Sequence, residues 1–293
     1  MSYLLHILIL INIYSILAIA LNLLSGYTGL LSICQAAFWG VGAYVTALLT
    51  LNLGIAWLPS LLIGMILSGI LAIGVGIVSL RFRNDYFIIA TFAFQILAYN
   101  IMLNWIDLTQ GPLGLPGIPQ PKVFGWTISS HFNFYVLSMI FLILTFITIR
   151  RIVTAPFGRV LRAIREDEKY TEGQGKNVTS FKVLAFVVGA MFSALAGSIY
   201  ASYIKYIDPS SFTVMESIFI LAIVIIGGSG NIWGSILGAS VLISIPELLR
   251  LVGLPASVSA NIRQILYGLF LVILMIWRPQ GFVGHILFKR TNV

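Results

Sequence analysis

The sequence predicts an all-α fold, a polytopic bundle of about eight to nine transmembrane helices, some of them glycine-broken or re-entrant. Two observations carry this prediction. Hydrophobic residues make up 59% of the chain and charged residues only 9%, with a mean hydropathy of +1.01; in soluble domains about a quarter of the residues are charged. The apolar stretches also run almost from end to end, so we expect residues 1–293 to form one transmembrane domain.

Nine apolar segments are candidates for these helices. A spanning helix needs roughly 20 apolar residues, and lipid offers no partner to an unpaired backbone group. Ala18-Ile19-Ala20 resembles a signal-peptidase site, but no basic residue precedes the apolar run, which favours a first membrane helix. The pair at 213–249 predicts either two short spans or a re-entrant hairpin. The segments are residues 3–24, 31–52, 57–80, 86–105, 133–152, 183–204, 213–228, 232–249 and 263–284.

The basic residues predict the orientation, because cytoplasmic loops are enriched in Lys and Arg. Their position between apolar segments also explains the net charge of +8 without a nucleic-acid partner. One side receives 13 of the 17 basic residues, which places the N-terminus outside and the C-terminus in the cytoplasm. The cytoplasmic residues are Arg81, Arg83, Arg150, Arg151, Arg159, Arg162, Arg165, Lys169, Lys176, Lys182, Arg278, Lys289 and Arg290, and the external ones are Lys122, Lys205, Arg250 and Arg263.

Two hydrophilic loops differ in kind. The external loop, residues 106–132, is rich in proline and glycine, which fix turns; it forms either an ordered lip or a plain connector. The cytoplasmic loop, residues 154–182, holds most of the charge. Arg159, Arg162 and Arg165 recur every three residues, and Arg162 and Glu166 are spaced as an i,i+4 pair, so we expect an amphipathic helix with charge on one face and Leu161 and Ile164 on another. This helix either binds another protein or is a solvated connector.

No motif for catalysis, metal binding or nucleotide hydrolysis is visible. The sequence has no Walker A loop, HExxH or GxSxG, and its three histidines and single Cys34 are dispersed, so we predict no enzyme and no metal site. Ion-coupled carriers commonly place a carboxylate in mid-span. Asp85, Glu216 and Glu247 all fall near predicted helix ends instead, which disfavours ion coupling.

Glycines and uncharged polar residues occur at corresponding places in the two halves of the chain. Glycine-broken helices of this kind indicate a substrate path in transporters, since freed backbone groups can face a polar cavity. Small residues also serve ordinary helix packing, so both interpretations stay open. The candidate path residues are Gly26, Tyr27, Gly29, Ser32 and Gln35 in the first half, and Gly227, Gly228 and Gly230 in the second.

A family resemblance covers nearly the whole chain. The run Asn22–Gly29, continued by Ser32, Gln35–Phe38 and Gly42–Tyr44, resembles the opening signature of branched-chain amino acid ABC transporter permeases of the LivM type. Four further stretches agree in order. They are Arg81–Phe94, Gly111–Pro119, Gly158–Asn177, and Gly227–Gly230 with Gly234, Gly238, Pro246-Glu247 and Arg278–Gly281.

This resemblance implies a heteromeric importer in the inner membrane of a prokaryotic cell. The permease would pair with a second, related permease and with two cytoplasmic ATPase subunits, which would hold the ATP and magnesium, so no cofactor is expected in this chain. An external solute-binding protein would deliver the substrate. The cytoplasmic loop would insert into the ATPase through Arg159, Arg162, Arg165, Glu166, Asp167, Glu168, Gly175 and Asn177.

Other functions remain open at this stage. Similar permeases serve urea, short amides and other small solutes, and a stand-alone channel or facilitator would not need the coupling loop. A membrane-embedded enzyme acting on lipid would require a catalytic cluster, and none is visible. Where the family usually has small residues at the coupling turn, this chain has Lys169, Tyr170 and Thr171, which predicts a docking surface specialised for its own ATPase.

Overall fold

A computed structural model describes residues 2–80, 84–123 and 126–251, and all structural statements below concern these residues. The predicted segment 263–284, residues 81–83 and 278–281 of the family resemblance, and the side chains of Asp85 and Glu247 lie outside the described part. Most of the rest is helical. The helices are α1 Ser2–Thr28, α2 Gln35–Asn52, α3 Trp57–Ser79, α4 Asn84–Asn104, α5 Ile106–Thr109, α6 His131–Thr154, α7 Pro156–Glu166, α8 Glu168–Gly173, α9 Val178–Ile204, α10 Val214–Gly227 and α11 Ile232–Leu251.

Each of the eight predicted segments that falls in the described part coincides with a helix. Five helices, α1, α3, α4, α6 and α9, are long and apolar enough to cross a membrane. The pair α10 and α11 adds a sixth span if it is counted as one, and the chain bends by 119° between its two helices. The described residues therefore form a polytopic helix bundle, and the number of eight to nine membrane segments is not confirmed.

The long helices α1 and α9 run antiparallel and form the centre of the bundle. Near one end His6 contacts Tyr203, with His6 Nδ1 and the Tyr203 hydroxyl 2.6 Å apart, and towards the other end Gly189 packs against the Ala20 carbonyl. Both helices end in the same way, because the next residue, Gly29 or Lys205, adopts a left-handed conformation with φ of +77° or +63°.

The chain follows the same course after α1 as it does after α9, and the two courses run in opposite directions. An extended segment leads back towards the middle of the bundle, where a shorter helix begins. Gln35, the first residue of α2, hydrogen-bonds Ser193 near the middle of α9. Glu216, in the first turn of α10, accepts a hydrogen bond from Tyr14 near the middle of α1. Since α3 also packs on α9 as α11 packs on α1, the two halves form an inverted repeat of the kind found in many transporters.

The first turns of α2 and α10 meet inside the bundle around Gln95 of α4. Gln95 Oε1 accepts hydrogen bonds from the Ala37 amide at 2.7 Å and the Ser217 hydroxyl at 3.0 Å. Gln95 Nε2 donates to the Phe212 carbonyl at 2.8 Å, and the Ala36 amide donates to Ser217 Oγ at 2.9 Å. Amides at the start of a helix lack partners in their own helix, so this fully buried glutamine satisfies groups that lipid could not.

Glycines allow the helices to approach closely at two crossings. A Cβ at Gly197 of α9 would overlap the Trp39 carbonyl of α2, and a Cβ at Gly227 of α10 would overlap the Gly234 carbonyl of α11. Membrane helices associate through such backbone contacts, since no hydrophobic driving force separates protein from lipid. The bend between α10 and α11 is therefore tightly packed at its apex.

In the loop predicted to be external, residues 115–118 pack against the segment that precedes α10. Strand β1 (Leu115–Pro116) pairs antiparallel with β4 (Tyr206–Ile207). The Gly117 amide donates to the Lys205 carbonyl at 3.1 Å. A second small pair joins β2 (Lys122–Val123) to β3 (Trp126–Thr127). We call the β1–β4 pair with its flanking turns the lip.

Candidate functional site

The charged loop folds into α7 and α8, and α7 packs firmly on the bundle. Pro156 stands in the first turn of α7, where its missing amide costs nothing. Leu161 and Ile164 are buried, while Arg159 and Glu166 are exposed. Gly158 lies so close to the Val153 carbonyl that a Cβ would overlap it. The predicted amphipathic helix is thus confirmed, with its apolar side against the bundle.

The second helix of the loop, α8, is held by caps and by an ion pair. The Asp167 carboxylate accepts from the Tyr170 amide at 2.9 Å and caps α8. Glu168 pairs with Lys182 of α9 at 2.6 Å, and the Lys182 side chain is only 4% exposed. Asn177 caps α9, and Gly175 turns the chain with φ of +77°. These four predicted coupling residues therefore fix the shape of the loop.

Arg165 joins α7 to the glycine motifs of both halves of the chain. Its Nη1 donates a hydrogen bond to the Gly26 carbonyl at the end of α1. A Cβ at Gly29 would lie 3.3 Å from Arg165 Cγ, and a Cβ at Gly230 would lie 3.1 Å from Arg165 Nη1. Gly26, Gly29 and Gly230 together form what we call the glycine cradle, which leaves just enough room for this side chain.

Asn22 of α1 holds the two sides of the glycine cradle together. Its Nδ2 donates to the Asn231 carbonyl at 2.9 Å and to Ser235 Oγ at 2.8 Å. Its Oδ1 accepts from the Gly230 amide at 2.8 Å. A Cβ at Gly26 would overlap both Asn22 Oδ1 and the Gly230 amide nitrogen. The end of α1 and the turn between α10 and α11 are therefore one rigid unit.

Arg162 contacts a different part of the same junction. Its guanidinium donates to the Val153 carbonyl near the end of α6 at 2.9 Å and lies 6.0 Å from the centre of the Tyr27 ring. Within the described residues it forms no ion pair with Glu166, the residue four positions further along α7. Arg162 thus ties α7 to α6 and α1.

The structure separates the predicted path residues into three groups. Gly26, Tyr27, Gly29 and Gly230 lie at the junction with α7. Gly227 and Gly228 lie at the end of α10 and pack against Gly234 of α11. Ser32 and Gln35 lie deeper and are buried; Ser32 Oγ is 3.2 Å from Cys34 Sγ, and Gln35 donates to Ser193. Whether any of the eight lines a substrate path stays a prediction.

Three residues that organise the site were not among the predicted site residues. Asn22 stands in the opening signature, but only its neighbours Gly26 and Gly29 were predicted as site residues. Gln95 is one of several polar residues of α4, and no local pattern singles it out. Glu216 does lie at the start of a helix, but that start lies beside the middle of α1, so the carboxylate is deep within the bundle. One indication of this depth is visible in the sequence: the apolar segment of α10 is too short to cross the membrane by itself.

The junction is one continuous set of contacts. Hydrogen bonds to backbone groups and close backbone packing connect α7 directly to the end of α1 and to the α10–α11 turn.

The amino-acid sequence is similar to those of known transport proteins. Residues 3–276 match the family model described as "Branched-chain amino acid transport system / permease component". No solved structure matches the chain. The chain is 33% identical to the high-affinity branched-chain amino acid transport system permease protein LivM of Salmonella typhimurium, over 92% of this chain and 67% of the relative.

Two more distant relatives extend the comparison. The probable branched-chain amino acid transport permease protein LivM of Methanocaldococcus jannaschii is 26% identical, over 93% of this chain and 90% of the relative. The permease protein LivH of Salmonella typhimurium is 24% identical, over 93% and 91%. The family model spans nearly the whole described bundle together with the glycine cradle and the charged loop, and the chain therefore belongs to the family of permease components of branched-chain amino acid transport systems.

Proposed function

We propose that the chain is the permease subunit of an ABC importer for branched-chain amino acids in a prokaryotic inner membrane, and that separate subunits hydrolyse the ATP. The observation that carries this proposal is the seating of Arg165 in the glycine cradle. It connects a charged helix outside the apolar bundle to one helix end from each half of the inverted repeat.

The exposed side of α7 and α8 would be the surface that the ATPase subunits contact. Arg159, Glu166 and Lys169 are exposed there, and the Tyr170 side chain is 66% exposed. Protein interfaces are enriched in tyrosine and arginine, and Tyr170 and Arg159 supply both on this surface. ATP-driven closure of the two ATPases would shift α7, and the glycine cradle would convert that shift into a tilt of α1, α10 and α11.

The proposal also implies a membrane topology. The end of the bundle that carries α7 would face the cytoplasm, with the N-terminus outside, the C-terminus inside, and segment 263–284 as a further span. The lip would then face the exterior, where a solute-binding protein would dock. Exposed apolar residues support this role: Leu113 lies in the lip, and Trp105 and Ile106 lie just before it in the chain.

A second, related permease would complete the pore. The chain is similar to both LivM and LivH relatives from one organism, Salmonella typhimurium, which supports a heterodimer of two permeases. Substrate would pass along the interface between them, and specificity would reside largely in the binding protein. The substrate is proposed from the names of the relatives; urea and short amides are the alternatives that a ligand assay on the binding protein would reveal.

The proposal is tested by separating uptake from ATP hydrolysis. The complex with its partner permease, ATPases and binding protein is reconstituted in vesicles, and leucine uptake and ATP turnover are measured together. We expect Arg165→Gln to lower leucine transported per ATP about tenfold, because a charge-assisted hydrogen bond to a buried carbonyl is lost. Arg151→Gln removes the same charge from an exposed position at the end of α6 and should leave the ratio unchanged.

An unchanged ratio in Arg165→Gln would remove the coupling role. A stand-alone facilitator is distinguished by a simpler measurement, since it would pass leucine through vesicles that contain this chain alone and no ATP. We expect no such flux.

A further inference from the structure

A cleft of about 430 Å³ opens beside the glycine cradle, between α6, α7 and the α10–α11 turn. Arg150 at the end of α6 and Arg162 of α7 line it from two sides, and Asn231 and Thr154 add neutral polar groups. Among the described residues that line the cleft, none is acidic. The cleft is therefore a concentrated positive site with hydrogen-bond donors.

Aromatic rings form one wall of the cleft. Phe146 and Trp233 are in contact, with ring centres 4.7 Å apart, and Arg150 lies 6.0 Å from the centre of the Phe146 ring. Trp233 is 59% exposed. Tryptophan beside arginine at the end of membrane helices is typical of the layer where lipid headgroups meet the hydrocarbon.

An apolar surface continues from the cleft along the same two helices. On α6, Ile143 lies one turn before Phe146 and is 47% exposed. On α11, Leu237 lies one turn after Trp233 and is also 47% exposed. Positive groups thus stand above an exposed aliphatic surface, which matches a molecule with an anionic head and hydrocarbon chains.

We propose that this cleft binds an anionic phospholipid, with its phosphate between Arg150 and Arg162 and its acyl chains along Ile143 and Leu237. Arginine forms bidentate hydrogen bonds with phosphate. Among the described residues, Arg162 donates one of its five N–H groups to Val153, which leaves the others for a phosphate. Basic pockets between helices on the cytoplasmic side suit such headgroups. This inference takes one element from the proposed function, namely that the chain lies in the membrane with α7 on the cytoplasmic side.

A bound lipid here would contact α6, α7 and the α10–α11 turn at once. It would therefore stabilise the position of α7 against the bundle that the coupling proposal requires. Lipid composition would then alter the stability of the junction without any change in the ATPase.

The test uses the purified full-length chain in a neutral detergent, so that it does not depend on transport. The thermal unfolding midpoint is measured while phosphatidylglycerol, phosphatidylcholine or inorganic phosphate is added. We expect phosphatidylglycerol alone to raise the midpoint. In Arg150→Gln the concentration needed should increase about fivefold, since each basic group near a membrane surface contributes on this order. Arg151→Gln, the neighbouring arginine that does not line the cleft, should behave as wild type.

Four results would overturn the proposal. Three of them are equal stabilisation by phosphatidylcholine, an unchanged phosphatidylglycerol response in Arg150→Gln, and an equal loss in Arg151→Gln. The fourth is equal stabilisation by inorganic phosphate, which would assign the cleft to a free anion instead of a lipid. Because Arg150 is exposed, we expect Arg150→Gln to fold. The unfolding midpoint of each variant without lipid checks this. A negative result in this lipid assay would not change the expected leucine uptake per ATP, so the lipid proposal and the coupling proposal can fail separately.

Discussion

The Arg165 guanidinium donates a hydrogen bond to the Gly26 carbonyl, a group 139 residues away in the chain. The last carbonyls of a helix have no partner within it, so the Gly26 carbonyl is free to accept this bond. A positive charge at the end of α1 also interacts favourably with the helix dipole. The charged loop and the first helix are therefore joined by a contact that both elements favour.

Gly26→Ala should disrupt this junction. The new Cβ would overlap Asn22 Oδ1 and the Gly230 amide nitrogen, and these two groups are hydrogen-bonded to each other. We expect a loss of about 3 kcal/mol or more, since neither neighbour can move without breaking that bond. The thermal midpoint of the purified chain in detergent measures this loss.

Gly74→Ala is the matched control for that substitution. A Cβ at Gly74 would meet nothing within 4 Å, and Gly74 lies in the helix α3. Its midpoint should be unchanged or slightly raised, because alanine favours helix over glycine. Equal losses in the two variants would contradict the account of the junction.

Asn22→Ala should weaken the connection between α1 and the α10–α11 turn. It removes three hydrogen bonds and leaves the Gly230 amide and Asn231 carbonyl without this partner. We expect a loss of about 2–4 kcal/mol in unfolding experiments. Asn100→Ala serves for comparison, because among the described residues the Asn100 side-chain amide donates only to the Ile96 carbonyl of its own helix. A loss as large as that of Asn22→Ala would argue against the claim.

Gln95→Leu should destabilise the place where α2 and α10 begin. The change leaves the Ala37 amide and the Phe212 carbonyl without their side-chain partner inside the bundle. Each unsatisfied buried group costs about 1–3 kcal/mol. Hydrogen exchange at Ala37 should become faster than in wild type, and unchanged protection there would show that Gln95 is dispensable.

Glu168→Gln should loosen the attachment of α8 to α9. Lys182 is almost fully buried, and removing the opposite charge leaves it in an unfavourable environment. We expect a loss of about 1–2 kcal/mol, since Glu168 itself is partly exposed and screened by solvent. Glu172→Gln, an exposed carboxylate of the same helix, should have no effect on the midpoint. Similar midpoints for the two variants would refute the role of the ion pair.

The positions of the membrane helices could be predicted from the sequence, because each lies where an apolar segment is long enough to form one. The segment 133–152 lies within α6, and the arginine periodicity of 159–165 predicts α7 with Leu161 and Ile164 inside. Local patterns carry this information, since lipid forces every apolar segment to satisfy its own backbone.

The depth of each helix could not be predicted in the same way. Nothing near Glu216 in the sequence shows that the first turn of α10 lies beside Tyr14, because that depth depends on how the preceding segment folds back. The partnership of Asn22 with Gly230 likewise joins residues more than 200 positions apart. Such contacts depend on the inverted packing of the two halves rather than on any local motif.

The side of the membrane on which α7 lies tests the central claim most directly. Cys34 is the single cysteine and is buried, so a Cys34→Ala background allows single reporters at Tyr170 on α8 and at Leu113 on the lip, which are 66% and 79% exposed. A membrane-impermeant maleimide is applied to right-side-out and inverted vesicles. We expect Tyr170→Cys to react only in inverted vesicles and Leu113→Cys only in right-side-out ones. Reaction of Tyr170→Cys from the exterior would contradict the account, since no cytoplasmic ATPase could then move α7.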